Sequence, residues 1–297
     1  MEIPSYLYFV LISIPVFNVF GLFGNINMII LFVRQFKCRT NYGYLLTILC
    51  ISQSICLFFE FFNVYFAIGA YFFGKPIYRS ECFHVLFPYV FFNAFQADVV
   101  AAIAVDFFLC VSVPLQYLRF KRRFYLPLLL LFPFSHGFYL VLFGFIYTND
   151  EQIKLCNPPS SLSYAVVVAN YSIFLAVSVV TLVAYSSGFT ILYLKSRSQK
   201  RVAVERKAMR SIQVLVLIFL LNRFTVFLFV NLLHIFGATD ELKVIAHDVL
   251  LICALFFYSE NFYVCYFRSS EYRSMLNSQL RCKATVTPTY SGKLTII

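Results

Sequence analysis

The chain has 297 residues, of which 61% are hydrophobic and only 12% are charged. Ordinary soluble domains are roughly 45–50% apolar and about 25% charged, so this composition excludes a soluble globular domain and indicates an integral membrane protein. The net charge of +11 would suit a nucleic-acid binder. The basic residues, however, fall in short runs between apolar segments, which is the pattern of membrane topology, and we expect no nucleic-acid partner.

The first apolar segment, residues 6–33, is 28 residues long and has no basic residue before it. A cleaved signal peptide begins with basic residues and has an apolar stretch of only about 7–15 residues, so this segment is predicted to be a membrane-spanning helix. Six further segments are long enough to span a bilayer: residues 43–71, 82–110, 125–146, 162–194, 211–236 and 242–267. We predict an all-α membrane protein, a single seven-transmembrane helix bundle over residues 1–282.

The loops between these segments alternate in charge. Most of the 24 lysines and arginines lie after the first, third, fifth and seventh segments, and the few on the opposite side are offset by acidic residues. Because cytoplasmic loops carry the excess of lysine and arginine, the N-terminus is predicted to be extracellular and the C-terminus cytoplasmic.

The chain after the seventh segment mixes arginines with apolar residues. Over residues 268–281 their spacing predicts a short amphipathic helix lying on the inner leaflet. Cys282 follows this helix as a candidate for palmitoylation, although a free cytosolic thiol explains it equally well. Residues 283–297 are expected to form a disordered cytoplasmic tail.

The nine cysteines lie mostly inside apolar segments. Only Cys82 and Cys156 fall in parts of the chain that the topology places outside the cell, where disulfides form and persist. We predict one disulfide between them, which would tie the outer end of the third helix to the loop 147–160.

Two stretches carry recognisable motifs. Residues 106–117 read Asp-Phe-Phe-Leu-Cys-Val-Ser-Val-Pro-Leu-Gln-Tyr, in register with Asp-Arg-Tyr-Leu-Ala-Ile-Cys-His-Pro-Leu-Arg-Tyr. Residues 261–273 read Asn-Phe-Tyr-Val-Cys-Tyr-Phe-Arg-Ser-Ser-Glu-Tyr-Arg, in register with Asn-Pro-x-x-Tyr-Ala-Phe-Arg-Asn-x-Glu-Phe-Arg. With Gly24-Asn25 in the first segment, these motifs resemble rhodopsin-like G-protein-coupled receptors. The short termini, the run from Arg39 to Ser54 and the richness in Phe and Tyr resemble the nematode serpentine receptors of class SX (Srsx).

The resemblance implies a chemoreceptor of the plasma membrane, with the cilia of sensory neurons as a further expectation. Such a receptor binds a small molecule in the outer half of the bundle and signals to a heterotrimeric G protein when the sixth helix moves. The expected partners are that ligand, the G protein and the lipid bilayer. The sequence shows no metal-ligand spacing, nucleophile–base set or phosphate loop, so we expect neither an enzyme nor a cofactor.

Several positions depart from the rhodopsin-like pattern. Phe107 stands where that pattern has an arginine, and Gln53 where it has the aspartate of the second helix. Phe107 has neither a charge nor a donor, so Asp106 is expected to form a weak pair with Arg119 or with the basic loop 195–210 instead. The residues expected to serve G-protein coupling are Asp106, Phe107, Phe108, Arg119, Arg206 and Lys207.

Polar residues inside apolar segments are costly unless they find partners, which makes them candidates for binding. Tyr89, Asn93 and Gln96 recur at helical spacing and are expected to share the face of the third helix that looks into the bundle. The ligand-binding candidates are Glu60, Tyr89, Asn93, Arg223 and His247. A central polar cluster is expected from Asn25, Gln53, Gln96, Asn222 and Asn261. Hydrogen bonds that only pack one helix against another explain these residues equally well.

Two other functions stay open at this stage. A seven-helix ligand-gated channel subunit or a transporter has similar composition, but the sequence shows no pore filter, broken helix or internal repeat. A receptor-like partner that no longer signals is the other alternative, because Phe107 replaces the coupling arginine. An extracellular N-terminus would favour a receptor over odorant channels, whose N-terminus is inside.

Overall fold

The computed structural model describes residues 5–35, 40–153, 155–198 and 240–280, together with residues 228, 229 and 232. The helices in these ranges are α1 (Ser5–Arg34), α2 (Asn41–Phe73), α3 (Arg79–Ser112), α4 (Pro114–Tyr117), α5 (Arg122–Tyr147), α6 (Pro158–Ser161), α7 (Tyr164–Ser198), α8 (Asp240–Arg268) and α9 (Ser270–Leu280). The strands are β1 (Ile77–Tyr78) and β2 (Gln152–Ile153).

Some predicted features lie outside the described residues. They are most of the sixth segment 211–236 with Asn222 and Arg223, the basic residues Arg206 and Lys207, and the tail 281–297 with Cys282. His247 belongs to α8, but its side chain is also outside what the structure describes.

Five of the described helices are long and apolar enough to cross a membrane: Leu11–Arg34 of α1, then α2, α3, α5, and Tyr164–Lys195 of α7. The longest spans are well above the roughly 20 residues that a hydrocarbon core of about 30 Å requires. The described residues are overwhelmingly helical, as the composition and segment lengths predict.

Local sequence explains where α2 begins and ends. The side chain of Thr40 accepts a hydrogen bond from the backbone N–H of Gly43 at 3.1 Å, which caps the first turn. At the other end Gly74 adopts a left-handed conformation with φ of 63°. Glycine takes that conformation without steric penalty, so α2 stops there and the chain turns towards β1.

The helix at the centre of the bundle is α3, which packs against α2, α5 and α7. In the most apolar stretch of α3, 72% of the window is buried inside the protein. In the most apolar stretch of α5 the buried share is only 28%. The outer helices therefore expose apolar side chains in the way that lipid contact requires, while α3 contacts protein on most sides. On the far side of α2, α1 packs against α8.

The outer end of α3 is tied to the chain that follows α5. Cys82 and Cys156 form the predicted disulfide, with their Cα atoms 5.6 Å apart. Next to it β1 pairs with β2 in antiparallel register, Ile77 opposite Ile153. Arg79 Nη1 also lies 2.7 Å from Glu151 Oε2. These links hold the loop between α5 and α7 over the end of the bundle.

The disulfide gives a first testable prediction. Cys82→Ser is expected to lower the free energy of unfolding by about 2–5 kcal/mol or to prevent delivery to the cell surface. Non-reducing peptide mapping of surface-delivered wild type should recover Cys82 and Cys156 as one linked pair. Cys50→Ala is the matched control, since Cys50 is a buried thiol outside any disulfide, and it should reach the surface. Recovery of either Cys82 or Cys156 as an alkylated thiol would contradict the prediction.

Candidate functional site

A cleft opens between the helices just below the disulfide-tied loop. Its described lining comes from α3, α5, α7, α8 and the loop around α6: Tyr89, Val90, Asn93, Leu140, Asn157, Pro158, Pro159, Leu162, Asn170, Tyr171, Leu251, Ala254 and Tyr258. The cavity volume is about 40 Å³. A buried water needs about 10–15 Å³ on the same measure, so the cleft has room for roughly three waters or one small molecule.

A buried hydrogen-bond network joins α2 to the wall of this cleft. Glu60 is fully buried on α2, and the hydroxyl of Tyr89 on α3 donates to its Oε1 atom. Asn63 Nδ2 donates to the other carboxylate oxygen, Oε2, at 2.6 Å. Both oxygens of Glu60 therefore have donors, as a buried carboxylate requires.

A second hydrogen bond crosses the cleft from α8 to α3. The hydroxyl of Tyr258 donates to Asn93 Oδ1 at 2.8 Å. The rings of Tyr258 and Tyr89 meet edge to face with centroids 6.5 Å apart. The structure thus brings together three of the predicted ligand-binding candidates, Glu60, Tyr89 and Asn93. It adds Tyr258, which the sequence analysis did not single out.

Below the cleft, amide side chains from three helices form a central cluster. Asn25 of α1 donates to the backbone carbonyl of Tyr258 at 2.8 Å, and Gln53 of α2 donates to that of Phe257 at 3.3 Å. Asn261 of α8 in turn donates to Gln53 Oε1 at 2.5 Å. The fourth described member of the predicted cluster, Gln96, donates to the sulfur of Cys56 at 3.7 Å instead.

The C-terminal end of α3 differs from the sequence-based prediction. Of the two expected pairings of Asp106, the one with Arg119 is wrong, because the hydroxyls of Tyr117 and Tyr125 each donate to Asp106 Oδ1 at 2.9 Å. Most of the basic loop 195–210 lies outside the described residues, so a pairing with that loop stays a prediction. Asp106 is only 4% exposed, and Arg119 lies on the surface. Among the described residues, the donors to this buried carboxylate are neutral phenols rather than cations.

Tyr117 continues this network to α2. Asn41 Nδ2 donates to its hydroxyl oxygen at 3.1 Å, and Asn41 Oδ1 accepts from Arg122 Nε at 3.0 Å. Burial, and then the charge of Asp106, raise the pKa of the Tyr117 hydroxyl above its ordinary value. The hydroxyl therefore stays protonated at neutral pH and remains a donor to Asp106.

Phe107, at the position of the missing arginine, is a packing residue between α3 and α7. Its ring stacks on Tyr185 with centroids 5.4 Å apart and an interplanar angle of 23°. At Gly188 an added Cβ would lie 2.8 Å from the same ring, so only glycine allows this approach. Phe108, next along the chain, is half-buried beside this contact.

One buried pair was missed by the sequence analysis. His136 Nδ1 on α5 lies 2.7 Å from Asp98 Oδ2 on α3, and both side chains are almost completely buried. Helical spacing places Asp98 off the face of α3 that carries Tyr89, and the structure directs it towards α5. Neither residue lines the cleft, so the pair joins two helices rather than forming part of the site.

The other missed residues of the cleft are polar side chains of the loop and of α7. They include Asn157, Asn170 and Tyr171. Their signal in the sequence is weak, because tyrosines are common in this chain and Asn157 lies in a loop without periodicity. Within the described residues no group of three or more His, Cys, Asp or Glu side chains is placed to hold a metal ion.

No curated protein shows significant sequence similarity to this chain. The model of one protein family, described as the serpentine type 7TM GPCR chemoreceptor Srsx, matches residues 18–280. The match runs from α1 through α9 and includes the disulfide, the cleft and the Asp106 network. The resemblance drawn from the motifs is thereby confirmed, and the chain belongs to the Srsx family of serpentine seven-transmembrane chemoreceptors.

Proposed function

We propose that the chain is a seven-helix receptor of the plasma membrane that binds a small molecule in the outer half of its bundle and signals to a heterotrimeric G protein. The observation that carries this proposal is the cleft between α3, α5, α7 and α8, with the loop beside Cys156 on its wall. Ligand sites between bundle helices combine apolar walls with a few placed polar groups, and this lining has both.

The orientation follows from the two ends of α3. The disulfide at Cys82 belongs on the oxidising, extracellular side. Asp106 lies 24 residues later, about 36 Å along the helix, which brings it to the opposite membrane surface. Since α1 and α2 each cross once before α3, the proposed N-terminus is extracellular. A protease or epitope test of N-terminal exposure on intact cells distinguishes this receptor from a channel subunit with an internal N-terminus.

The proposed signal starts at Tyr258. Its side chain lines the cleft, while its backbone carbonyl accepts the hydrogen bond of Asn25 in the central cluster. A ligand that favours one position of this residue shifts the position of α8 against α1. Such a ligand changes the balance of two receptor states only by its difference in affinity for them.

Coupling is tested by nucleotide exchange on G proteins mixed with the purified receptor in nanodiscs, with and without a panel of volatile and water-soluble compounds. We expect modest agonist-stimulated exchange in wild type and a higher value in Phe107→Arg, because arginine supplies the missing charge and still stacks on Tyr185. Phe124→Arg, which adds the same charge at an exposed position of α5, should behave as wild type.

Equal exchange by wild type and Phe107→Arg would show that the arginine is dispensable and that the basic loops form the contact. If neither protein activates a G protein while both reach the surface and bind ligand, the chain is a receptor-like partner without signalling of its own.

The hydrogen bonds that Tyr117 and Tyr125 donate to Asp106 are proposed to hold the inactive state of the receptor, and they make a separate prediction. Tyr125→Phe removes one of two donors to buried Asp106, so it should lower the free energy of unfolding by about 1.5–3 kcal/mol and raise basal nucleotide exchange. Tyr147→Phe is the matched control, because Tyr147 is exposed at the opposite end of α5. Unchanged basal exchange and stability in Tyr125→Phe would show that Asp106 does not hold the resting state.

The central cluster predicts insensitivity to sodium. Its four described members, Asn25, Gln53, Gln96 and Asn261, are neutral amides, whereas hard cations prefer carboxylate oxygen. Replacing sodium with a bulky organic cation at constant ionic strength should leave ligand affinity unchanged. A clear dependence on sodium would contradict this assignment.

A further inference from the structure

We propose that the ligand is a small uncharged molecule with one hydrogen-bonding group, a carbonyl, hydroxyl or amide on a short apolar body. The inference rests on the proposed function, since it assigns the ligand class of the same cleft. It depends on three features of the described residues: the chemistry of the lining, the position of Glu60, which accepts a hydrogen bond from the lining residue Tyr89, and the volume of the cavity.

The lining is polar without being charged. Its described polar side chains are three asparagines and three tyrosines, and no described lining residue carries a charge at neutral pH. Asparagine offers both donor and acceptor groups, and the tyrosine hydroxyl does the same. Among the described lining residues a charged ligand would lose its hydration without meeting an opposite charge, which is unfavourable in a low-dielectric site.

Glu60 is the acid closest to the cleft in the network, and it is not available to a cationic ligand. Its side chain is fully buried behind Tyr89 and does not line the cavity. Tyr89 and Asn63 already donate to its two oxygens. An ammonium group would have to break the Tyr89 hydrogen bond and displace the tyrosine before it reached the carboxylate. The arrangement presents the phenol ring, rather than the charge, to the ligand.

The recognition group of the cleft is the pair Asn93–Tyr258. These side chains are bonded across the cavity at 2.8 Å, and apolar residues such as Val90, Leu140 and Leu251 lie around them. A carbonyl or hydroxyl placed at the pair can exchange hydrogen bonds with it while the apolar body contacts the leucines. The cavity of about 40 Å³ limits that body to a few carbon atoms.

The test uses five probes with one carbon skeleton: butanol, butanone, butyramide, butylamine and butyrate. Binding to the purified full-length receptor in nanodiscs is measured as the saturable rise in unfolding temperature, without a G protein. At neutral pH butylamine is a cation and butyrate an anion. At least one neutral probe should bind about tenfold or more tightly than either ion.

Two variants connect binding to the pair. Asn93→Leu keeps the side-chain volume and removes the amide, so affinity for the neutral probes should fall about tenfold. Tyr258→Phe removes only the hydroxyl; it should also weaken binding and provides the same test if Asn93→Leu is unstable. Ser135→Ala, at an exposed position of α5 whose hydroxyl bonds only within its own helix, should bind as wild type and controls for effects of the probes on the bilayer.

Tighter binding of butylamine that is lost in Glu60→Gln would overturn the inference and make Glu60 the counter-ion of a cationic ligand. Tighter binding of butyrate would overturn it in favour of an anionic ligand. If no neutral probe gives a saturable rise in unfolding temperature that is weakened by Asn93→Leu, the inference that the ligand is a small uncharged molecule is wrong. None of these results decides G-protein coupling, which nucleotide exchange measures separately, so failure of the ligand class and failure of the receptor function remain distinguishable.

Discussion

The structure depends on the need to satisfy polar side chains inside a bundle whose outside is apolar, because hydrocarbon offers them no hydrogen bonds. The central helix α3 shows this most clearly. From the N-terminal to the C-terminal end of α3, Tyr89 is bonded to α2, Asn93 to α8, Asp98 to α5, and Asp106 to α4 and α5. Tyr89 and Asp106, the first and last of these four residues, are 17 positions apart, which is about 26 Å along the helix. These hydrogen bonds fix both the rotation of α3 and its position along its axis relative to its neighbours, and so they position the cleft and the C-terminal end of α3 together.

The sequence predicted the inward face of α3 but not its partners. Helical periodicity places Tyr89, Asn93 and Gln96 on one face and Asp98 on another, and the structure agrees. Periodicity carries no information about which residue of a neighbouring helix lies at the same depth. His136 and Tyr258 were therefore not found, although each lies in a segment whose helical character was predicted. The disulfide was found because the charge pattern of the loops left only two cysteines on the outer side.

The error at Asp106 has a physical origin. A buried carboxylate suggests a cationic partner, and arginines and lysines are easy to see in a sequence with few charges. The hydroxyls of Tyr117 and Tyr125 are equally good donors. The chain has 21 tyrosines, and nothing in the sequence distinguishes these two from tyrosines that only pack against apolar residues. A phenol donor also avoids the cost of removing a second charge from water. In a bundle this rich in aromatic residues, a neutral network is the less costly solution.

Not every polar group has been satisfied in this way. Glu260 on α8 is buried, and neither of its carboxylate oxygens has a hydrogen-bond partner among the described residues. It lies directly before Asn261 of the central cluster and two residues after Tyr258 of the cleft. An unsatisfied buried acid raises the free energy of the arrangement that buries it. The hydrogen bonds of Tyr258 and Asn261, on either side of Glu260, offset part of this cost, so the turn of α8 that joins the cleft to the central cluster holds satisfied and unsatisfied polar groups side by side.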